Sequence, residues 1–244
     1  MSRLLLISNS SLHGSGYLDH AEAEIKDFIG ERIRVVFIPY ALHERRAYTE
    51  QAENRLRKMG LEFRSVHDVS NASRAIEQAE IIFTGGGNTF RLLSELQQNQ
   101  LIEPIRRAVR GGIPFIGSSA GSIVACPSLK TTKDMPVIQP LSFEALALVP
   151  FQISPHYLDP DPTSTHMGET QEQRILQFLE ENGEPVVGLR EGSMLRVESD
   201  DVILKGPHSA RIFRSGMAPI EATSGSNLRK LLLQRRPSFA ALVA

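Results

Sequence analysis

Residues 117–121 read Gly-Ser-Ser-Ala-Gly, a G-x-S-x-G arrangement with Ser119 at its centre. An apolar run ends at Ile116 and another begins at Ile123. A sharp turn from strand into helix pushes one hydroxyl into open space, and glycines let the neighbouring backbone close around it. The chemistry on offer is nucleophilic attack on a carbonyl, with the Ala120 N–H at the start of the next helix placed for a developing oxyanion. A joint of small residues chosen for tight packing, with Ser118 or Ser119 as helix cap, accounts for the same five positions. A serine hydroxyl is a poor nucleophile without a base, so the partners decide between the two readings.

Of the seven histidines, His156 has a distinctive setting, LVPFQISPHYLDPDP. A strand-like run over 149–153 leads into Ser154-Pro155-His156, and Pro155 holds the preceding residue extended, so His156 falls at a strand end. Glu191 has the same kind of address, after the apolar run 186–189 and before Gly192. There a carboxylate can turn inward and hold an imidazole. Taken singly, each is equally a loop residue. Together, Ser119, His156 and Glu191 form a nucleophile, base and acid at three strand ends. The α/β-hydrolases order these groups serine, acid, histidine, so that fold is excluded. A second glycine run, Gly85-Gly86-Gly87-Asn88, also follows a buried strand; without a P-loop lysine or G-x-G-x-x-G spacing it gives a nucleotide site little support. Its backbone N–H groups can face an oxyanion, and Asn88 can cap the next helix.

Three strand ends have to meet for these residues to cooperate. Short apolar runs at 4–8, 35–38, 81–84, 113–116 and 186–189 look like strands buried on both faces. Segments 18–29, 48–59, 89–97 and 102–109 carry helical spacing between them. The pattern predicts an α/β fold, a mostly parallel sheet flanked by helices on both faces, whose ligands bind beyond the carboxyl ends of the strands. Residues 193–206 read as an antiparallel hairpin at a sheet edge, which 211–222 could extend. The expected organisation is a single domain over 1–222 and a tail over 223–244, helical or disordered. That tail packs on the domain or frays, with partner binding as the alternative.

Net charge is −1, so no basic surplus points to nucleic acid or anionic lipid. No segment approaches the roughly 20 apolar residues of a membrane span, and the N-terminal MSRLLLISNSS is too short for a secretory leader. Cys126 is the one cysteine, which by itself makes neither an intramolecular disulfide nor a zinc site. The expectation is a soluble cytoplasmic protein.

The order nucleophile, histidine, glutamate resembles that of class I glutamine amidotransferase-like domains, which have cysteine where this chain has Ser119. More specifically, LLLISNSSLHG, VVFIPYA, AEIIFTGGGNTFRLL, GSSAG…ACPSLKTTKDMPV, FQISPHY, GETQEQRI and GLREGS, in this order over residues 3–215, are similar to the S51 serine peptidases, a family of α-aspartyl dipeptidases. The resemblance implies a class I glutamine amidotransferase-like (flavodoxin-like) fold with a C-terminal β-hairpin. It implies hydrolysis of small peptides of the form Asp-X, with no metal or other cofactor, by a monomer or homodimer. It places nucleophile, base and acid on Ser119, His156 and Glu191, and the oxyanion N–H donors on Gly87 and Ala120. Asn88, Gln171 and Arg174 fall in the substrate-binding region. One departure stands out: family members carry arginine, associated with the aspartyl carboxylate, where this chain has Gln171. Neutral glutamine cannot copy that charge-assisted clamp. Either another cation, Arg174, His166 or Lys130, takes its place, or selectivity is relaxed. A related activity on β-aspartyl bonds, as in cyanophycinases, is the alternative; a catalytically silent binding protein has no chemical need for all three triad residues.

Overall fold

Leu4, Leu5, Leu6 and Ile7 are all fully buried, so the first strand has no solvent face and needs a layer on each side. The structure, a computed structural model, describes residues 2–165 and 167–233. In chain order the elements are β1 (Arg3–Ile7), α1 (Glu22–Ile29), β2 (Arg34–Ile38), α2 (Arg45–Lys58), β3 (Glu62–Ser65), α3 (Ala72–Glu77) and β4 (Ile81–Thr84). There follow α4 (Thr89–Gln98), α5 (Ile102–Arg110), β5 (Phe115–Ser118), α6 (Ala120–Val124), β6 (Gln152–Pro155) and α7 (Gln171–Glu181). The last are β7 (Val186–Leu189), β8 (Met194–Glu198), β9 (Asp201–Lys205), β10 (Ala210–Phe213), β11 (Ile220–Ala222) and α8 (Arg229–Leu232).

A seven-stranded sheet runs β3-β2-β4-β5-β1-β8-β9. It is parallel from β3 to β1, while β8 and β9 add an antiparallel hairpin at one edge, as the sequence predicts. Alternation along β1 divides the core. Leu4 and Leu6 pack with Val36, Ile38, Ile82 and Phe115 against α4, α5 and α6. Leu5 and Ile7 face the other way, packing with Phe37 and Phe83 against α1 and α2. The layers on both faces are those the apolar runs require.

The remaining strands form a second sheet, β11-β10-β7-β6. Here β6 and β7 are parallel and α7 crosses between them, its Tyr157, Ile175, Leu179, Val186 and Phe213 cluster filling the space beneath. This corrects one expectation. Residues 211–222 do not extend the β8–β9 hairpin; β10 pairs with β7 instead. The cause lies at Gly206-Pro207. Gly206 has φ of +96°, and a Cβ there would meet the Gly192 carbonyl oxygen at 2.3 Å, so the chain turns away from β9 at a position only glycine fills.

Boundaries shift where local geometry intervenes. Helix α1 starts at Glu22, after a short 3₁₀ turn (Asp19–Ala21), because Leu18 at φ 59° breaks the run. Helix α7, which has no counterpart among the expected helices, begins on a capping box in which Thr170 and Gln173 bond reciprocally. The first part of the expected tail is attached: Leu228 N–H bonds the Val202 carbonyl, and Leu228 and Leu232 are buried. Residues 234–244, the rest of that tail, lie outside the described residues. Among the described residues no helix is long and apolar enough to cross a membrane.

Cys126 is fully buried, its Sγ donating to the Ser122 carbonyl, and burial pushes its thiol pKa upward. Ellman's reagent is expected to leave the native protein unlabelled and to titrate one thiol per chain after denaturation; rapid native labelling would show that this core opens.

Candidate active site

The nucleophile turn forms where β5 runs into α6. Ser119 sits between them at φ 51° and ψ −109°, outside the regions that a side chain ordinarily adopts. Close approach explains its glycines. A Cβ on Gly121 would lie 2.1 Å from the Thr84 carbonyl oxygen, and one on Gly117 would lie 2.5 Å from the Gly121 oxygen. Several bonds hold the turn: Ser119 N–H to the Ile7 carbonyl (2.9 Å), the N–H groups of Ser122 (2.9 Å) and Ile123 (3.0 Å) to the Ser119 carbonyl, and the Ser122 hydroxyl to the Ile7 and Gly117 carbonyls. The hydroxyl makes no capping bond to α6. Ser119 Oγ lies 2.9 Å from His156 Nε2 instead. Ser118 is buried, and its hydroxyl has no hydrogen-bond partner among the described residues.

Two strand ends of the second sheet supply the other members. Pro155 pairs in register with Leu189, so His156 and Glu191 follow the same row of β6 and β7. His156 Nδ1 lies 2.7 Å from Glu191 Oε1. A carboxylate only accepts, so Nδ1 carries the proton, which leaves Nε2 to accept from the serine hydroxyl. The pair is open to solvent, His156 at 40% and Glu191 at 48% side-chain exposure. It therefore contributes little to stability and stays within reach of a ligand.

His156 also has a left-handed backbone, φ 50°, which is uncommon for a residue with a side chain. Ser8 holds it there. The Ser8 hydroxyl accepts from His156 N–H (2.9 Å) and donates to the Leu189 carbonyl (2.8 Å), joining β1 to β6 and β7 at once. Asn9 Oδ1 accepts from Gly192 N–H beside Glu191 at 2.7 Å. Arg190 fixes the chain beyond His156: it pairs with Asp159 at two 2.8 Å contacts, reaches Glu221 and lies over the Tyr157 ring. The guanidinium beside it holds the Asp159 carboxyl below the usual range, whereas burial raises the Tyr157 hydroxyl to about 12.

The second glycine loop closes the near side. A Cβ on Gly86 would come 3.1 Å from Ser119 Cβ, and Gly87 has φ of +135°, where a Cβ would meet the Ala41 carbonyl oxygen at 2.7 Å. Ala120 opens α6, and N–H groups in a helix's first turn have no intrahelical acceptor.

The model of peptidase family S51 matches residues 4–205. Peptidase E of Streptomyces coelicolor is 52% identical over 229 residues, 94% of each chain. A protein named "Probable alpha-aspartyl dipeptidase" from Drosophila melanogaster is 45% identical, covering 94% of this chain and 97% of its own. The chain belongs to peptidase family S51. The fold agrees with a crystal structure of a peptidase from an acI-B1 actinobacterium, with TM-score 0.68, 16% identity, and 93% and 96% of the two chains covered.

The residues expected to bind substrate make contacts of their own within the protein. Asn88 caps α4 through Oδ1 and donates Nδ2 to the Met135 carbonyl (2.8 Å), so both ends of its amide serve the backbone. Gln171 does the same, donating to the His156 carbonyl and accepting from Leu158 N–H, each at 3.1 Å. Arg174 pairs with Glu169 at 3.7 Å, and Lys130 donates to Asn182 Oδ1 at 2.8 Å. His166 lies outside the described residues. Ser8, Asn9, Arg190 and Lys133, whose Nζ meets the His156 carbonyl at 3.1 Å, are missing from the sequence reading. Ser8 had a signal: it is the polar residue at the carboxyl end of the first buried run.

Ser8→Ala leaves the His156 N–H without its acceptor and takes one donor from the Leu189 carbonyl, which keeps the Tyr157 N–H. The expected loss is about 1–3 kcal/mol of stability, read as a lower denaturant midpoint, together with lower turnover. Unchanged midpoint and turnover would remove Ser8 from the positioning of His156.

Proposed function

We propose that the protein is a serine dipeptidase that hydrolyses Asp-X dipeptides through an acyl-enzyme on Ser119. The observation that carries this reading is the relay itself, Ser119 Oγ to His156 Nε2 at 2.9 Å and His156 Nδ1 to Glu191 Oε1 at 2.7 Å. Ser119 attacks the aspartyl carbonyl as His156 Nε2 takes its proton. Glu191 keeps the productive tautomer and stabilises the imidazolium. The N–H groups of Gly87 and Ala120 receive the oxyanion. His156 then returns the proton to the leaving amine, and water releases aspartate by the same steps in reverse roles. The relatives' names, Peptidase E and alpha-aspartyl dipeptidase, favour the α-linked substrate over the β-aspartyl alternative.

A panel of Asp-Leu, Ala-Leu and β-Asp-Leu tests the reading. Ser119→Ala is expected to lose at least about 10⁴-fold in kcat/KM on Asp-Leu, and His156→Ala several powers of ten. Glu191→Gln is expected to retain more activity than either. Unchanged hydrolysis by Ser119→Ala would rule out the acyl-enzyme, and equal wild-type rates on Asp-Leu and Ala-Leu would rule out aspartyl selectivity.

A further inference from the structure

Lys133 is a cation beside the reacting groups without an anionic partner. Its ammonium donates to the carbonyl of His156 at 3.1 Å, and among the described residues it makes no ion pair within 4 Å. The nearby carboxylates are engaged elsewhere. Asp134 Oδ2 accepts from the Thr89 N–H and hydroxyl at 2.7 and 2.6 Å, and Glu191 holds His156. Protein crowding lowers the Lys133 pKa, and the fields of Asp134 and Glu191 partly restore it. A carbonyl takes one of the three N–H donors of an ammonium, and the others are left for a ligand.

Arg190 is held between Asp159 and Glu221, Arg174 faces Glu169 at 3.7 Å and Lys130 donates to the neutral Asn182 amide, whereas Lys133 is hydrogen-bonded to His156 itself. Gln171 meets Lys133 at the same carbonyl but spends its amide on the loop and brings no charge. Lys133, Gln171 and Arg174 line one small cleft between residues 130–133 and α7. The residue that acylates Ser119 has to lie against His156, and Lys133 is tied to the main chain of that histidine.

We propose that Lys133 is the specificity cation of this site, binding the side-chain carboxylate of the substrate's N-terminal aspartate. The assignment rests on the Asp-X dipeptidase reading. A lysine point charge gives a strong, non-bidentate contact, which discriminates Asp from its neutral isostere Asn by charge rather than shape.

The test compares kcat/KM on Asp-Leu and Asn-Leu for the wild type, Lys133→Met and Lys133→Arg, with Asp-Leu-amide as a further substrate. Lys133→Met is expected to lower the Asp-to-Asn ratio roughly ten- to a hundredfold, mainly through KM. Lys133→Arg is expected to keep most of the ratio, which separates lost charge from lost packing. A wild-type ratio in Lys133→Met, with Asp-Leu still cleaved through Ser119, would overturn the Lys133 assignment and leave the dipeptidase reading standing. If Lys133→Met instead loses the preference for Asp-Leu over Asp-Leu-amide, Lys133 reads the C-terminal carboxylate and the assignment is likewise overturned. A wild type that cleaves no aspartyl dipeptide would overturn the parent reading, and this one with it.

Discussion

The site straddles a seam between two sheets, and the Ser8 hydroxyl is the bond that closes it. Ser119 belongs to the seven-stranded sheet, while His156 and Glu191 end strands of the four-stranded one. Nothing in either sheet alone fixes the 2.9 Å between Ser119 Oγ and His156 Nε2. Ser8, at the end of β1, accepts from His156 N–H and donates to the Leu189 carbonyl. Its own N–H meets the Ser193 carbonyl at 3.0 Å. Since β1 is hydrogen-bonded to β5, with Ile7 opposite Ser118, the position of His156 is referred to the strand that leads into Ser119.

Both members of the Ser119–His156 contact have positive φ, 51° and 50°. Such conformations cost on the order of 1–3 kcal/mol each and persist only where the surroundings over-determine them. The surroundings here are specific. Ile7 and Ile123 clamp the peptide groups of Ser119, Gly117 and Gly121 allow the approach, and Ser8, Gln171 and Lys133 occupy both polar groups of the His156 backbone. Gln171 in place of a charged side chain fits this picture. An amide both donates and accepts, so one residue can bridge the His156 carbonyl and the Leu158 N–H, which a guanidinium, having only donors, cannot do.

The Ser119–His156–Glu191 contact was legible because each member stands within three residues of the end of an apolar, strand-like run. Ser119, His156 and Glu191 all stand just past such runs, in a chain order that few folds share. The division into two sheets was not legible, since a buried strand carries no mark of its neighbour; 186–189 looks like 81–84 in composition yet pairs with β6 and β10. The supporting residues were hidden for a related reason. Ser8, Asn9 and Lys133 act on main-chain groups more than 20 residues away, and no spacing rule encodes a contact of that kind. The helix-capping role of Asn88 was visible, and its amide also donates to the Met135 carbonyl.

In the proposed reaction, a substrate carboxylate near His156 has the Glu191 carboxylate, bonded to that histidine, as a like charge. Glu191 cannot be neutralised without losing its hold on the imidazole, so selectivity for an acidic residue demands a cation that does not compete for Glu191. Lys133 satisfies that condition by geometry. It is anchored to a carbonyl and not to a carboxylate, so its charge is not cancelled before the substrate arrives. Arg190, although stronger in principle as a carboxylate binder, is already held by Asp159 and Glu221, and Arg174 is turned toward Glu169 at 3.7 Å. Among the described residues Lys133 makes no ion pair, and its charge lies beside His156. On the proposed reading, that charge favours an anion on the acyl side of Ser119 without disturbing the relay.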